Sequence, residues 1–442
     1  MIVLSAFTFF LICYTRVDFV RCVMNYQETL DWIHGQERFG IKPGVKRMRW
    51  VLEQLGNPQD RIRGIHVVGT NGKGSTVNDL QHIFTRAGYE VGTFTSPYIM
   101  DFKERICLNG EMISETDLVK AANCIRPLTD RLISETSLGP ATVFELITLI
   151  MFLYFGESHP VDIAIIEAGL GGLYDSTNVF QAMAVVCPSI GLDHQAILGD
   201  TYADIAYQKA GVLKGGEDLI FAIDNKEARQ VFLKKAEQLG VPIWEWRRQF
   251  NMLQGEGGYQ FNSQLGQLSH LVLAMPGQHQ VANAGLATMT SLILQDRYPK
   301  VTESVIREAL ASSFWLGRTE LLAPNLMIDG AHNNESIAAL IDVISSDYQD
   351  KQIHILFGAI DTKPVSDMLQ SLERLGDVQV TSFHYPNAYP LEAYPDRLTK
   401  VADFRAFLDR LEQAAADDFF LITGSLYFIS EVRQYWKKVL SK

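Results

Sequence analysis

Residues Val67 to Thr76 read VVGTNGKGST. Glycines clustered around one lysine, with hydroxyls just after it, form the pattern of a phosphate-binding loop. Glycine lets backbone N–H groups converge on phosphate oxygens, and the lysine neutralises the outer phosphates. The common form of such a loop sets a serine or threonine directly after the lysine to hold magnesium. Here Gly74 intervenes, the hydroxyls come at Ser75 and Thr76, and Val67 stands where the first glycine of that form would be. Gly69, Thr70, Asn71, Gly72, Lys73, Gly74, Ser75 and Thr76 are therefore expected to hold a nucleotide in a variant loop. Glu167 closes the apolar run VDIAIIE and offers a carboxylate to metal ions at a strand end, where α/β proteins place ligands. His194, in GLDH, offers an imidazole, although a histidine taken alone is more often structural.

These groups need a scaffold, and the chain alternates strand-like and helix-like segments. GIHVVG (Gly64–Gly69) reads as a strand, STVNDLQHIFTRAG (Ser75–Gly88) as a helix, and YEVGTFTSP (Tyr89–Pro97) as the next strand. ATVFELITLIMFLYF reads as a helix; VDIAIIEAG, AMAVVCPSI and EDLIFAI read as strands. Apolar runs bounded by glycine and alternating with helices predict a parallel sheet covered on both faces. A second alternating set begins at LMIDG (Leu326–Gly330) and ends with FFLITG and the helix LYFISEVRQYWKKVL, enough for a compact domain of roughly 120 residues. The break falls near SSFWLGRTE, Ser312–Glu320. The expected architecture is α/β: an N-terminal P-loop ATPase domain with a parallel-rich sheet (24–312), a linker (313–317), and a smaller Rossmann-like C-terminal α/β domain (318–442).

Bulk properties exclude several classes. A 442-residue chain with 47% hydrophobic residues is long enough for two or three cores. A net charge of −12 argues against a nucleic-acid surface, which needs clustered Lys and Arg. Five scattered cysteines suggest neither a zinc site nor a disulfide framework and suit a reducing cytoplasm. The apolar opening MIVLSAFTFFLICY is short for a membrane span and lacks a leading basic residue. The amphipathic MNYQETLDWIHGQERFG reads as a helix beginning at Met24, so residues 1–23 are expected to be an extension ahead of the true start.

GTNGKGS, with glycine between lysine and serine, resembles the loop of folylpolyglutamate synthase and its Mur-ligase relatives. TSPYIMDFKERICLNG (Thr95–Gly110), IIEAGLGGLYDSTN (Ile165–Asn178), IGLDHQAILGDTYADIAYQKAG (Ile190–Gly211), PGQHQVANA, LGRTE and IDGAHN follow in that family's order. Two positions depart from its pattern: Leu173 replaces an arginine, and Asn334 replaces a proline.

The resemblance implies an ATP-dependent ligase with two Mg²⁺ ions and room for a monovalent cation. Ser75, Ser96, Glu167 and His194 would lie at the metals, as would Lys209 after carbamylation by CO₂. Arg318 and Asn283 would reach the nucleotide's phosphate and adenine; both are expected from the second domain, although Asn283 falls ahead of the break at Ser312–Glu320. Asp329 and His332 would stand near the nucleotide and the incoming glutamate. Thr142, Phe144, Asp175 and Ser176 would meet the pterin; Ser425 is mainly a helix N-cap with room for a substrate role. The implied substrates are ATP, L-glutamate and a folate or dihydropteroate, with no membrane partner and a monomeric enzyme. The substrate carboxylate would attack the γ-phosphate and form an acyl phosphate, which the α-amine of glutamate then displaces. Two rivals remain at this point: a Mur-type ligase acting on another carboxylate, and a nucleotide-binding regulator without catalysis.

Overall fold

The computed structural model describes residues 23–40 and 42–440. The expectation for residues 1–23 falls almost wholly outside them.

The first sheet holds eight strands: β1 (Gly64–Val67), β2 (Val91–Phe94), β3 (Ile106–Leu108), β4 (Glu111–Met112), β5 (Ile163–Glu167), β6 (Ala182–Cys187), β7 (Asp218–Phe221) and β8 (Ile243–Glu245). Their order is β4-β3-β2-β5-β1-β6-β7-β8. The β2–β3 and β3–β4 pairings are antiparallel, and the remaining pairings are parallel. Successive residues of a strand point to opposite faces. Ile163 and Ile165 therefore join one buried core, while Ala164 and Ile166 join the other. Each fully buried isoleucine contributes about 1.5–3 kcal/mol, so a strand apolar on both sides is stable only between two helical layers. One layer includes Lys73–Arg86 and Gln278–Ile293, the other Val143–Leu153.

Three elements depart from the expectation. Glu115–Glu135 forms a 21-residue helix with Pro127 inside it. An antiparallel sheet of β9 (Phe250–Gly255), β10 (Gly258–Ser263) and β11 (Gln267–Leu271) lies outside the α/β alternation. The opening helix is shorter, Tyr26–His34, because Gly35 and a one-turn 3₁₀ segment, Glu37–Phe39, end it.

The sheet of the second set comprises β12 (Glu320–Ala323), β13 (Leu326–Ile328), β14 (Gln352–Phe357), β15 (Asp377–Thr381), β16 (Thr399–Val401) and β17 (Asp418–Thr423). It runs β12-β13-β17-β14-β15-β16, parallel except for the β12–β13 hairpin. It too separates two cores. The fold is a two-domain α/β structure rich in parallel strands. Among the described residues no helix is long and apolar enough to cross a membrane.

Candidate functional site

A cavity of about 1270 Å³ opens between the C-terminal ends of the two parallel sheets. Strand β1 delivers the loop, and the helix starts at Lys73, two residues ahead of the expected Ser75. Gly72 caps it with φ 83°, the left-handed region; a Cβ there would also lie 2.6 Å from Asn283 Oδ1. Gly74 lacks room for a different reason: a Cβ would sit 2.8 Å from Trp315 Nε1 in the connection to the second sheet. The glycine that separates lysine from serine is thus a contact surface for that connection.

Lys73 Nζ donates to Thr70 O (3.1 Å) and lies 3.7 Å from Glu167 Oε1. Glu167 is the last residue of β5 and is buried; its Oε2 accepts the Ser96 N–H at 3.3 Å. Burial pushes its pKa up, and Lys73, Ser96 and Arg318 work against that rise. Ser75 Oγ accepts from Gln280 Nε2 (3.3 Å), and Asn283 Nδ2 donates to Gln280 Oε1 (2.9 Å). Asn283 belongs to helix Gln278–Ile293, packed on the first sheet and not on the second; apolar contacts of that helix decide its placement. Thr76 does not line the cavity: its hydroxyl donates to Gly72 O inside the helix.

Lys209 is no surface lysine. It is 5% exposed and donates from Nζ to Gly69 O at 2.7 Å. Burial, with Lys73 nearby, lowers its pKa to about 7. His194 sits at φ 55°, ahead of the short helix Gln195–Leu198, with its half-exposed side chain on the cavity wall. Burial of the ring depresses its pKa despite adjacent Asp193, so the imidazole is neutral at pH 7 and its lone pair is available. Among the described residues no three His, Cys, Asp or Glu side chains form a metal cluster. Glu167 and the Ser75 hydroxyl nevertheless fit magnesium, which binds through one or two carboxylates plus phosphate oxygens and water, and His194 lines the same cavity.

The second sheet supplies Arg318, Asp329, His332 and Ser425 to the same cavity. Asp329 spends both oxygens on backbone: Oδ2 accepts Thr319 N (2.7 Å) and Oδ1 accepts Ala331 N (2.8 Å). It braces the turn behind Arg318 while also lining the cavity, and each oxygen keeps a second lone pair. His332 Nδ1 pairs with Gly330 O at 2.7 Å, and burial lowers its pKa to about 4. The ring is therefore neutral at pH 7 with Nε2 unprotonated. Ser425 Oγ accepts Tyr427 N (3.2 Å), as an N-cap does.

The proposed pterin positions also line the cavity, with structural duties. Thr142 caps Val143–Leu153 in a capping box with Glu145. Asp175 accepts Leu170 N (2.7 Å) and Thr177 N (2.9 Å), and burial raises its pKa. Phe144 packs beside Phe94, ring centroids 5.7 Å apart, and Ser176 borders the cavity.

A model of the Mur ligase glutamate ligase domain matches residues 317–426. A dihydrofolate synthase/folylpolyglutamate synthase from Bacillus subtilis is 36% identical over 430 residues, covering 93% of this chain and 99% of the relative. The chain belongs to this dihydrofolate synthase/folylpolyglutamate synthase family. The apo form of L. casei FPGS superposes with a TM-score of 0.81 at 33% identity, covering 93% of this chain and 99% of the other. Folylpolyglutamate synthase of Mycobacterium tuberculosis, complexed with ADP and AMPPCP, gives 0.84 at 28% identity with the same coverage.

Both departures from the family motifs are explicable. Leu173 packs its side chain against Gly211, where an added Cβ would lie 2.4 Å from the Leu173 Cβ. Its N–H donates to Gln208 O at 2.6 Å, and the residue does not line the cavity. Asn334 begins the helix Asn334–Asp347, which Asn333 and Ser336 cap.

Sequence reasoning missed contacts that join the two sheets across the cavity. Asn71 of the loop and Asn333 exchange amide hydrogen bonds of 3.2 and 3.0 Å. Lys363 Nζ donates to Asp193 Oδ1 at 2.6 Å. Burial would raise the Asp193 pKa, but Lys363 and His194 hold it well below the usual carboxylate range. Lys363 lies in the loop between strand β14 and helix Val365–Leu372, and such loops beyond the C-terminal ends of parallel strands are where ligand-facing polar residues collect.

Proposed function

We propose that this chain adds L-glutamate to tetrahydrofolate, and also to dihydropteroate, at the expense of ATP. What carries the reading is that Lys73 and Glu167 from the first sheet share one cavity with Arg318 and His332 from the second. A phosphoryl-transfer site and an amine-handling histidine then face the same substrate.

A carboxylate oxygen of the acceptor attacks the γ-phosphorus, the bond to the β-phosphate oxygen breaks, and ADP leaves an acyl phosphate. Lys73 and Arg318 bear on the charge gathering at that phosphorus, the main catalytic demand of such transfers. Ser75, Glu167 and His194 would hold Mg²⁺, which would supply further charge neutralisation when bound. Ser96 supports this arrangement through its N–H to Glu167. Lys209 would join the second metal site as a carbamate; its burial beside Lys73 favours over the ammonium the neutral amine that reacts with CO₂. The amine of glutamate then attacks the acyl carbon, phosphate leaves, and the amine's proton is lost. His332, neutral with Nε2 open, can accept a hydrogen bond from that amine. Thr142, Phe144, Asp175 and Ser176 border the place for the pterin, and Asn283 lies beside the loop for the adenine.

Residues 24–312 form the nucleotide and pterin half, 313–317 the linker and 318–442 the glutamate half; the family match over 317–426 supports this division. The same reading takes the enzyme as a monomer. The free thiols of Cys107 and Cys187 suit the cytoplasm. The test is ADP release with dihydropteroate or tetrahydrofolate, each with and without glutamate. Release that requires both acceptor and glutamate is expected; release indifferent to glutamate with either acceptor defeats the ligase reading.

A further inference from the structure

Arg105 lines the cavity, and the reaction above makes no use of it. It ends the 3₁₀ turn Phe102–Arg105, and its carbonyl accepts Thr95 N at 3.0 Å, which ties it to the segment carrying Ser96. The guanidinium carbon stands 5.1 Å from the Tyr98 ring centroid and 5.7 Å from that of Phe102. Its Nε is sealed from solvent and has no hydrogen-bond partner among the described residues. Burial lowers its pKa, and the carboxylate of Glu167 works against that fall. Neighbouring Glu104 is occupied, accepting the N–H groups of Ile99 and Met100.

A partly buried guanidinium with no hydrogen-bonded counter-ion among the described residues is costly, and the cost is offset when an anion docks with good geometry. Arginine's planar fork suits a carboxylate. Glu167 places the reacting phosphate end of the cavity close by. An acceptor that ends in a glutamyl residue brings two carboxylates: the γ-carboxylate that reacts and an α-carboxylate that does not. Dihydropteroate brings only the one that reacts. We propose that Arg105 is a specificity-determining residue that binds the α-carboxylate of glutamyl-terminated acceptors. This rests on the folate-ligase reading above. Because each addition of glutamate renews the same pair of carboxylates, one subsite serves every round of chain extension, and the first glutamylation of dihydropteroate proceeds without it.

The test is steady-state ADP release by the full chain and by R105Q. It uses three acceptors: tetrahydrofolate, its α-carboxamide analogue, and dihydropteroate. In R105Q the KM for tetrahydrofolate is expected to rise about 10- to 100-fold, the scale of a hydrogen bond to a charged group, with the KM values for dihydropteroate and glutamate within about threefold. The wild-type chain is expected to lose the same factor on the α-carboxamide, and R105Q to lose nothing more on it. R105K, which keeps the charge without the fork, falls between and serves if R105Q does not fold. Equal losses on both pteridine acceptors, a rise confined to glutamate, or additive losses for R105Q and the carboxamide overturn the proposal. If dihydropteroate is not used at all, the carboxamide comparison decides alone. A wild-type chain that releases no ADP with any acceptor would instead defeat the ligase reading itself.

Discussion

Glu167 and Asp329 occupy equivalent places in two different sheets. Each is a buried carboxylate at the C-terminal end of a parallel strand or one residue past it, beside the cavity. Their surroundings separate them. Glu167 accepts one long backbone hydrogen bond and faces Lys73 at 3.7 Å, so it keeps acceptor capacity for a metal ion. Asp329 has both oxygens engaged by Thr319 and Ala331 and serves as a brace. A carboxylate at a strand end has more capacity for a ligand the fewer of its roughly four lone-pair sites the backbone has claimed.

The sharpest way to break that comparison is to neutralise each in turn. E167Q is expected to lower kcat by about 100- to 1000-fold, as loss of a preorganised electrostatic group does, with the fold retained by circular dichroism. A smaller loss would show that the carboxylate is another brace. Lys209 gives the next effect. With a pKa lowered to about 7, the amine is mostly free above that pH and mostly ammonium below it. Carbamate formation needs the free amine, so activity should fall as pH drops through 7 and recover partly on addition of bicarbonate. K209M should show neither response; a CO₂-independent wild-type profile would remove the carbamate.

D329N should behave in the opposite manner to E167Q. An amide cannot accept at both positions, and leaving one buried N–H unpaired costs about 1–3 kcal/mol of stability, read by urea denaturation. The loss of kcat should be well below that of E167Q. Smallest is T142A, which removes a helix N-cap worth about 1 kcal/mol. A large rise in the acceptor KM on top of that would give Thr142 a direct part in pterin binding.

Much of the first sheet was legible because its strands are apolar on both faces, and period and glycine boundaries mark such runs plainly. The β9–β11 sheet was not, since YQFNS and QLSHL carry half-polar patterns that alternate with loops of similar composition. Helix Glu115–Glu135 was hidden by Pro127, which sits where a helix interior normally forbids it. Asn283 belongs to the first domain and not the second, because position along the chain does not reveal which sheet a late helix covers. Arg105 lies inside a recognisable motif, yet nothing local marks an arginine whose Nε lacks a partner among the described residues.

The order of the motifs alone determined the family, the phosphate loop and the two-part α/β plan, because those depend on residue type, spacing and local backbone preference. Only the tertiary structure decided which polar groups remain available. Whether a carboxylate, an amine or a guanidinium can act on a substrate depends on which distant backbone groups have already claimed it, and chain neighbours do not encode that.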